Sequence, residues 1–296
     1  MKIGLAGTGK MGSAITRRLI ACGHAVTVWN RSAERAQALL QAGAGWAATP
    51  SALVQANDLV ISILTDEAAL DAVYGGTDGL LAAPLAGRLI IDMSTVGPAK
   101  PQAIGALAAS AGGRFLECPV GGSVGPASEG KLLGFVGGAA DDLESVHEVL
   151  AQLCRRIEHV GPLGAGATMK LAINLPLMVY WQTLSEALSL LQPLGLDPAR
   201  VVDILADTSG GPNMLKARGP MIAKALAGNA DGAVSVDLAT MSKDLRAMLK
   251  QAAVGHYRLP LAAQTLQCFE QAAAQGLSGA DCTQLPVWWL RDGGRV

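Results

Sequence analysis

The chain has 296 residues, 50% of them apolar and 16% charged, with a formal net charge of −1. That is enough apolar material for a large core and excludes a disordered chain; at roughly 150 residues per domain it suggests two domains. The charge balance is too even for a nucleic-acid protein, no apolar run is long enough to span a membrane, and the scattered Cys22, Cys118, Cys154, Cys268 and Cys282 have neither disulfide-framework nor zinc-site spacing, so a cytoplasmic protein without a metal is expected.

Short apolar runs at Lys2–Ala6, Ala25–Trp29, 59–64 and 89–93 read as buried strands, with helical patterns at 12–21, at 33–40 and after Pro98. Residues 115–117, 132–136 and 157–160 read as later strands. Strands alternating with helices predict a parallel, doubly wound α/β sheet of the Rossmann type, covered on both faces. Past Gly161 only helical patterns remain, the longest over 166–191. The expected organisation is therefore a doubly wound α/β domain, 1–162, and an all-helical domain, 163–296, joined by a long interdomain helix.

Gly7-Thr8-Gly9-Lys10-Met11-Gly12 follows the first strand and opens a helix. This GxGxxG spacing gives a tight turn, a close backbone approach to a pyrophosphate, and close helix–strand packing, with the helix N-terminus facing the phosphates. A glycine turn needed only for packing is the competing reading. The second strand ends in Trp29-Asn30-Arg31-Ser32, without the acid that holds the ribose 2′-OH in NAD sites. Arg31, and Arg35 four residues on, suit a 2′-phosphate, so NADP(H) is preferred over NAD(H) unless both are solvated helix-start charges.

Lys170 and Asn174 are four apart and share one face of an apolar helix. A Lys in apolar surroundings gives up its proton more readily and can exchange it with a substrate oxygen; a solvated helix-start Lys is the alternative. Pro176 should kink this helix or free a carbonyl. Cys118 and His24 read as structural. Trp181 either lines a pocket or packs in the core, and Trp288 and Trp289 either cover a site or subunit or dock on their own domain. Asp66-Glu67 reads as the charged first turn of a helix.

Four motifs together resemble the 3-hydroxyisobutyrate dehydrogenase-like (β-hydroxyacid dehydrogenase) family, from Met1 to about Gln284. They are Gly4 to Gly12, Glu117-Cys118-Pro119-Val120-Gly121-Gly122-Ser123 running on to Ala127, Gly164-x-Gly166-x-x-x-Lys170-x-x-x-Asn174, and Lys243-Asp244-Leu245 with Met248. The resemblance implies an NADP-dependent oxidoreductase acting on a small carboxylate bearing a carbonyl or hydroxyl, of the 3-hydroxy acid or semialdehyde class. It implies Lys170 as proton donor and acceptor, assisted by Asn174. Gly121, Gly122 and Ser123 would hold the substrate carboxylate, Ser94 and Thr95 would flank nicotinamide and substrate, Leu64 and Thr65 would line the cofactor cleft, and Lys243 would close over the cofactor. Relatives usually carry Asp where Glu117 stands and Ser before two glycines; here the order is Gly-Gly-Ser, so the gripping hydroxyl is lost or displaced by two residues. Thr65 stands where Pro is common. An imine reductase on a related scaffold and a non-catalytic NADP-binding protein are the alternatives. The apolar long helix predicts a homodimer or homotetramer.

Overall fold

The computed structural model describes residues 1–230, 232 and 234–294. The chain divides into two compact units, Met1–Leu171 and Ala172–Val296.

The first unit begins β1 (Lys2–Ala6), α1 (Lys10–Ala21), β2 (Ala25–Trp29), a 3-10 turn (Ala33–Ala36), α2 (Gln37–Leu40), β3 (Gly45–Trp46), α3 (Pro50–Ala56), β4 (Leu59–Ser62), α4 (Glu67–Gly75) and β5 (Leu89–Asp92). It continues α5 (Ala99–Ser110), β6 (Arg114–Glu117), β7 (Val120–Gly121), α6 (Val124–Glu129), β8 (Leu132–Gly137), α7 (Ala140–Leu153) and β9 (Cys154–Gly161). The last element to begin here is α8 (Ala165–Leu191). Strands β1, β4 and β5 are buried along nearly their whole length, as continuous apolar runs demand of a sheet covered on both faces. One face carries Ile15 and Leu19 of α1 and Val146 and Leu150 of α7. The other carries Leu53 of α3, Leu70 and Tyr74 of α4 and Ile104 of α5. Full burial of each such side chain contributes about 1.5–3 kcal/mol.

The strand order is β3-β2-β1-β4-β5-β6-β8-β7, with β9 on β8. From β3 to β6 all pairs are parallel. The expectation of a wholly parallel sheet fails at β8, which runs antiparallel to β6 and β7. Segment 122–131 joining β7 to β8 holds only the short α6, too little chain for the crossover that a parallel partner needs. The helix expected over 33–40 splits into a 3-10 turn and one turn of α-helix, because only Ala36 and Leu39 of it are buried.

The second unit takes α8 onward and adds α9 (Pro198–Ala206), α10 (Asn213–Leu226), α11 (Leu238–Val254), α12 (Pro260–Ala272) and α13 (Gln284–Trp288). Local chemistry sets its boundaries. Gly195 adopts φ +60° after the 3-10 turn that follows α8, and Asp197 caps α9 by accepting from the Arg200 N–H at 3.0 Å, with Pro198 in the first turn. Asp237 caps α11 through the Thr240 N–H at 2.7 Å. Helix α8 runs through Pro176, whose missing N–H leaves the Ala172 carbonyl without its helical donor. No helix among the described residues is long and apolar enough to cross a membrane.

Candidate active site

The chain builds β1, β2 and β3 outward, then returns to start β4 on the other side of β1. Ligands of such sheets bind beyond the carboxyl ends of the strands at that reversal. Gly7 follows β1 and Leu64 follows β4, so both flank it.

The phosphate loop is shaped as its glycines require. Gly7 has φ +103°, and a Cβ there would collide with the Ile63 carbonyl of the neighbouring loop. Gly12 lies so close to the Gly7 carbonyl oxygen that any side chain would overlap it. A Cβ on Gly9 would meet nothing within 4 Å. Helix α1 has neither a side-chain cap nor an acid in its first turn, a helix start that suits an anion. Thr8 Oγ1 is buried with no protein partner. An uncapped helix end, an open backbone approach and an orphaned buried hydroxyl fit the pyrophosphate of a dinucleotide. Lys10 and Met11 form the first turn of α1, Lys10 exposed and Met11 half-buried.

Asn30 ties this loop to the next. Its Oδ1 accepts from the Thr8 N–H at 3.1 Å, and its Nδ2 donates to the Ser32 carbonyl at 2.9 Å. The side chain is thereby committed to shaping the edge. Ser32 leads into the 3-10 turn without capping it through its hydroxyl. Arg31 and Arg35 are exposed in this segment.

Beyond β4 and β5 a buried polar network joins the two loops. Asp92 Oδ1 accepts from Ser62 Oγ at 2.6 Å and Ser94 Oγ at 2.7 Å. Ser94 Oγ in turn accepts from the Leu64 N–H at 2.8 Å, and the Tyr74 hydroxyl lies 2.7 Å from Ser62 Oγ. Burial pushes the Asp92 carboxyl up to about 6 against the pull of its serine donors, and pushes the Tyr74 hydroxyl well above its ordinary range. Leu64 and Thr65 on one loop, and Ser94 and Thr95 on the other, are thus held as a pair, with the Ser94 hydroxyl used inside the protein.

At the end of β6, Glu117 is 1% exposed. Its Oε1 accepts from the Gly164 and Gly166 N–H groups at 2.6 and 2.9 Å, and its Oε2 from the Ala167 N–H at 3.1 Å. The first turn of α8 therefore rests on the carboxyl end of the sheet. Lys170 lies one turn further on and is 8% exposed. In the loop after β6, Gly121 is buried in β7, Gly122 has φ +125°, and Ser123 is exposed just before α6. A Cβ on Gly121 would make only ordinary contacts with Leu133 and Phe135, so the space for a side chain exists where none is present.

Two expected site residues lie in the second unit. Asn174 Nδ2 donates to Asp244 Oδ2 at 3.3 Å, and Lys243 Nζ lies 3.1 Å from Asp244 Oδ1. Asp244 is 5% exposed and links the two. Sequence reasoning named Asp244 only inside a motif and assigned no role to Asp92, Ser62 or Tyr74; acids ending otherwise apolar strands were the available signal.

The other residues weighed in the sequence are buried or bonded within the protein. Cys118 is fully buried, and burial pushes its thiol well above the ordinary range. His24 Nε2 bonds Gln152 Oε1 at 2.7 Å. Trp181 is 2% exposed. Trp288 is buried, donates to Gln275 Oε1 at 2.9 Å and packs edge-on against Trp289. Asp66 caps α4 through the Ala69 N–H at 2.8 Å.

Comparison with known proteins places this geometry. Residues 2–161 match the NAD binding domain of 6-phosphogluconate dehydrogenase, and residues 164–288 match the NAD-binding domain of NADP-dependent 3-hydroxyisobutyrate dehydrogenase. The chain is 30% identical over 98% of its length to 2-(hydroxymethyl)glutarate dehydrogenase of Eubacterium barkeri, covering 95% of that protein. It is 33% identical to 3-hydroxyisobutyrate dehydrogenase of Pseudomonas aeruginosa, covering 90% of each. The solved structure of Psf3 in complex with NADP+ and 2-OPP superposes with a TM-score of 0.87 at 28% identity, covering 96% of this chain and 99% of that one. A glycine loop built for a dinucleotide, and relatives matched along nearly the full length, make this chain an NAD(P)-binding oxidoreductase of the 3-hydroxyisobutyrate dehydrogenase-like (β-hydroxyacid dehydrogenase) family.

Proposed function

We propose that the protein is an NADP(H)-preferring enzyme that interconverts a small carboxylate bearing an aldehyde or ketone with the corresponding hydroxy acid, Lys170 exchanging the proton with the substrate oxygen. The carrying observation is the position of Lys170: a buried ammonium one turn into a helix whose first turn is bonded to the carboxyl end of β6. The names of two relatives, dehydrogenases of 2-(hydroxymethyl)glutarate and 3-hydroxyisobutyrate, support a hydroxy acid substrate.

Nicotinamide, when bound, supplies or takes the hydride. The Gly7–Gly12 backbone and the end of α1 hold the pyrophosphate, with Thr8 Oγ1 as an added donor. Arg31 and Arg35 meet the 2′-phosphate; their exposed guanidiniums lie in the turn after β2, where an NAD site would carry an acid. Leu64, Thr65 and Thr95 line the nicotinamide end, and Lys243 is assigned to the cofactor on the resemblance alone. In reduction Lys170 would give its proton to the carbonyl oxygen, and in oxidation it would take the proton of the substrate hydroxyl. Asn174, held by Asp244, assists at the oxygen. The Gly121–Gly122 backbone and Ser123 receive the substrate carboxylate. The exposed Met169, Ile173 and Leu190 on α8 support a homodimer or homotetramer.

The test is a panel of semialdehydes, α-keto acids, 3-hydroxy acids and one cyclic imine, read as NADP(H) absorbance, with NAD(H) in parallel. Turnover of an acid with NADP(H) is expected, and Lys170→Ala should lower kcat by roughly 100-fold or more with NADPH affinity intact. Unchanged turnover in that variant, or reduction confined to the imine, would overturn the assignment.

A further inference from the structure

Glu117 does no chemistry in the mechanism above, yet it is a buried acid engaged by three backbone donors 47 to 50 residues away in sequence. Helix α8 has no acid of its own in the first turn. Helix starts leave several N–H groups without partners, and a carboxylate satisfies them with favourable charge toward the helix dipole. Here both carboxylate oxygens are used, one for two donors and one for the third. The surrounding backbone is cleared for it: a Cβ on Gly137 would collide with the Glu117 carboxylate, and one on Gly166 would collide with the Phe135 carbonyl and press on Glu117. Burial pushes this carboxyl up to about 7, with the neighbouring Asp92 charge adding to the rise and the backbone donors opposing it.

Lys170 follows Ala167, the last of the bonded residues, by three positions, about 4.5 Å along the helix axis. It is carried by the turn that follows directly on the one Glu117 holds. Asp92 stands opposite Glu117 in register on β5 and holds the Ser94 and Leu64 side of the edge.

We propose that Glu117 is a positioning residue for proton transfer: by fixing the first turn of α8 to the end of β6, it sets where Lys170 presents its ammonium to the reacting oxygen. The inference rests on Lys170 exchanging that proton. It assigns a role to the acid that ends β6, and predicts that the carboxylate matters through Lys170 and not through overall stability.

A double-mutant cycle tests it, using the acid that turns over fastest in the panel above. Glu117→Gln retains an oxygen for the Gly164 and Gly166 donors but sets an amide N–H₂ against the Ala167 N–H. The expected result is a 10- to 100-fold loss of kcat, little change in KM for NADPH, and faster amide exchange over residues 162–172. In a Lys170→Ala background the same substitution should lower kcat by less than about two-fold. Should E117Q fail to fold, Glu117→Asp, which keeps the charge but withdraws it by one methylene, takes its place in the cycle. Equal losses in both backgrounds, or no loss in the first, overturn the positioning role while leaving Lys170 in place. An unchanged kcat in Lys170→Ala alone refutes the proton-donor assignment itself, and the positioning role with it.

Discussion

Replacing Asp92 by Asn removes a buried titration and leaves most of its hydrogen bonding intact. Oδ1 is the atom that accepts from Ser62 and Ser94, and Asn keeps an oxygen there. The carboxyl is raised from its ordinary 3.8 to about 6, with burial as the largest cause. The folded chain therefore binds this proton more tightly than the unfolded chain. The stability this contributes is fully present below pH 3.8 and is lost as pH rises through about 6, in all about 3 kcal/mol. Glu117 has the same sign between its ordinary 4.5 and about 7, but it is present in both proteins and largely cancels in their difference. Urea unfolding at fixed protein concentration, from pH 4 to pH 8, should show D92N gaining on the parent by about 2.5 kcal/mol across the interval and levelling off above pH 7. A difference that stays flat with pH would show that Asp92 is not held out of water as its burial implies.

Gly12→Ala should abolish NADPH binding in a fluorescence titration and cost about 1–3 kcal/mol in urea, because the new methyl overlaps the Gly7 carbonyl oxygen. Arg31→Ala should weaken NADPH roughly 10- to 100-fold, the worth of a charge-assisted bond to phosphate, and leave NADH unchanged; parallel titrations decide. Asp281 behaves oppositely to Asp92. Burial raises its carboxyl, but donors from Ser235 and Thr283 outweigh that and hold it down to about 2. Its contribution is present above pH 3.8 and lost as pH falls through about 2, so Asp281→Asn should flatten the acid limb of the stability curve.

The sequence by itself determined whatever local stereochemistry encodes. The spacing Gly7, Gly9, Gly12 after an apolar strand specified a turn, an open approach and a contact that only hydrogen can make. Continuous apolar runs marked β1, β4 and β5 as strands buried on both faces, and a four-residue interval set Lys170 and Asn174 on one face of α8. Tertiary structure alone decided which distant groups meet. Nothing near Glu117 in sequence reveals that its carboxylate reaches Gly166 and Ala167, nor that Asp92 governs the Leu64 loop 30 residues before Ser94. The reversal of β8 is of the same kind. Such pairings follow from strand order and register, where a slip of one residue would turn each side chain to the opposite face; they are properties of the assembled sheet, and no short stretch of the chain contains them.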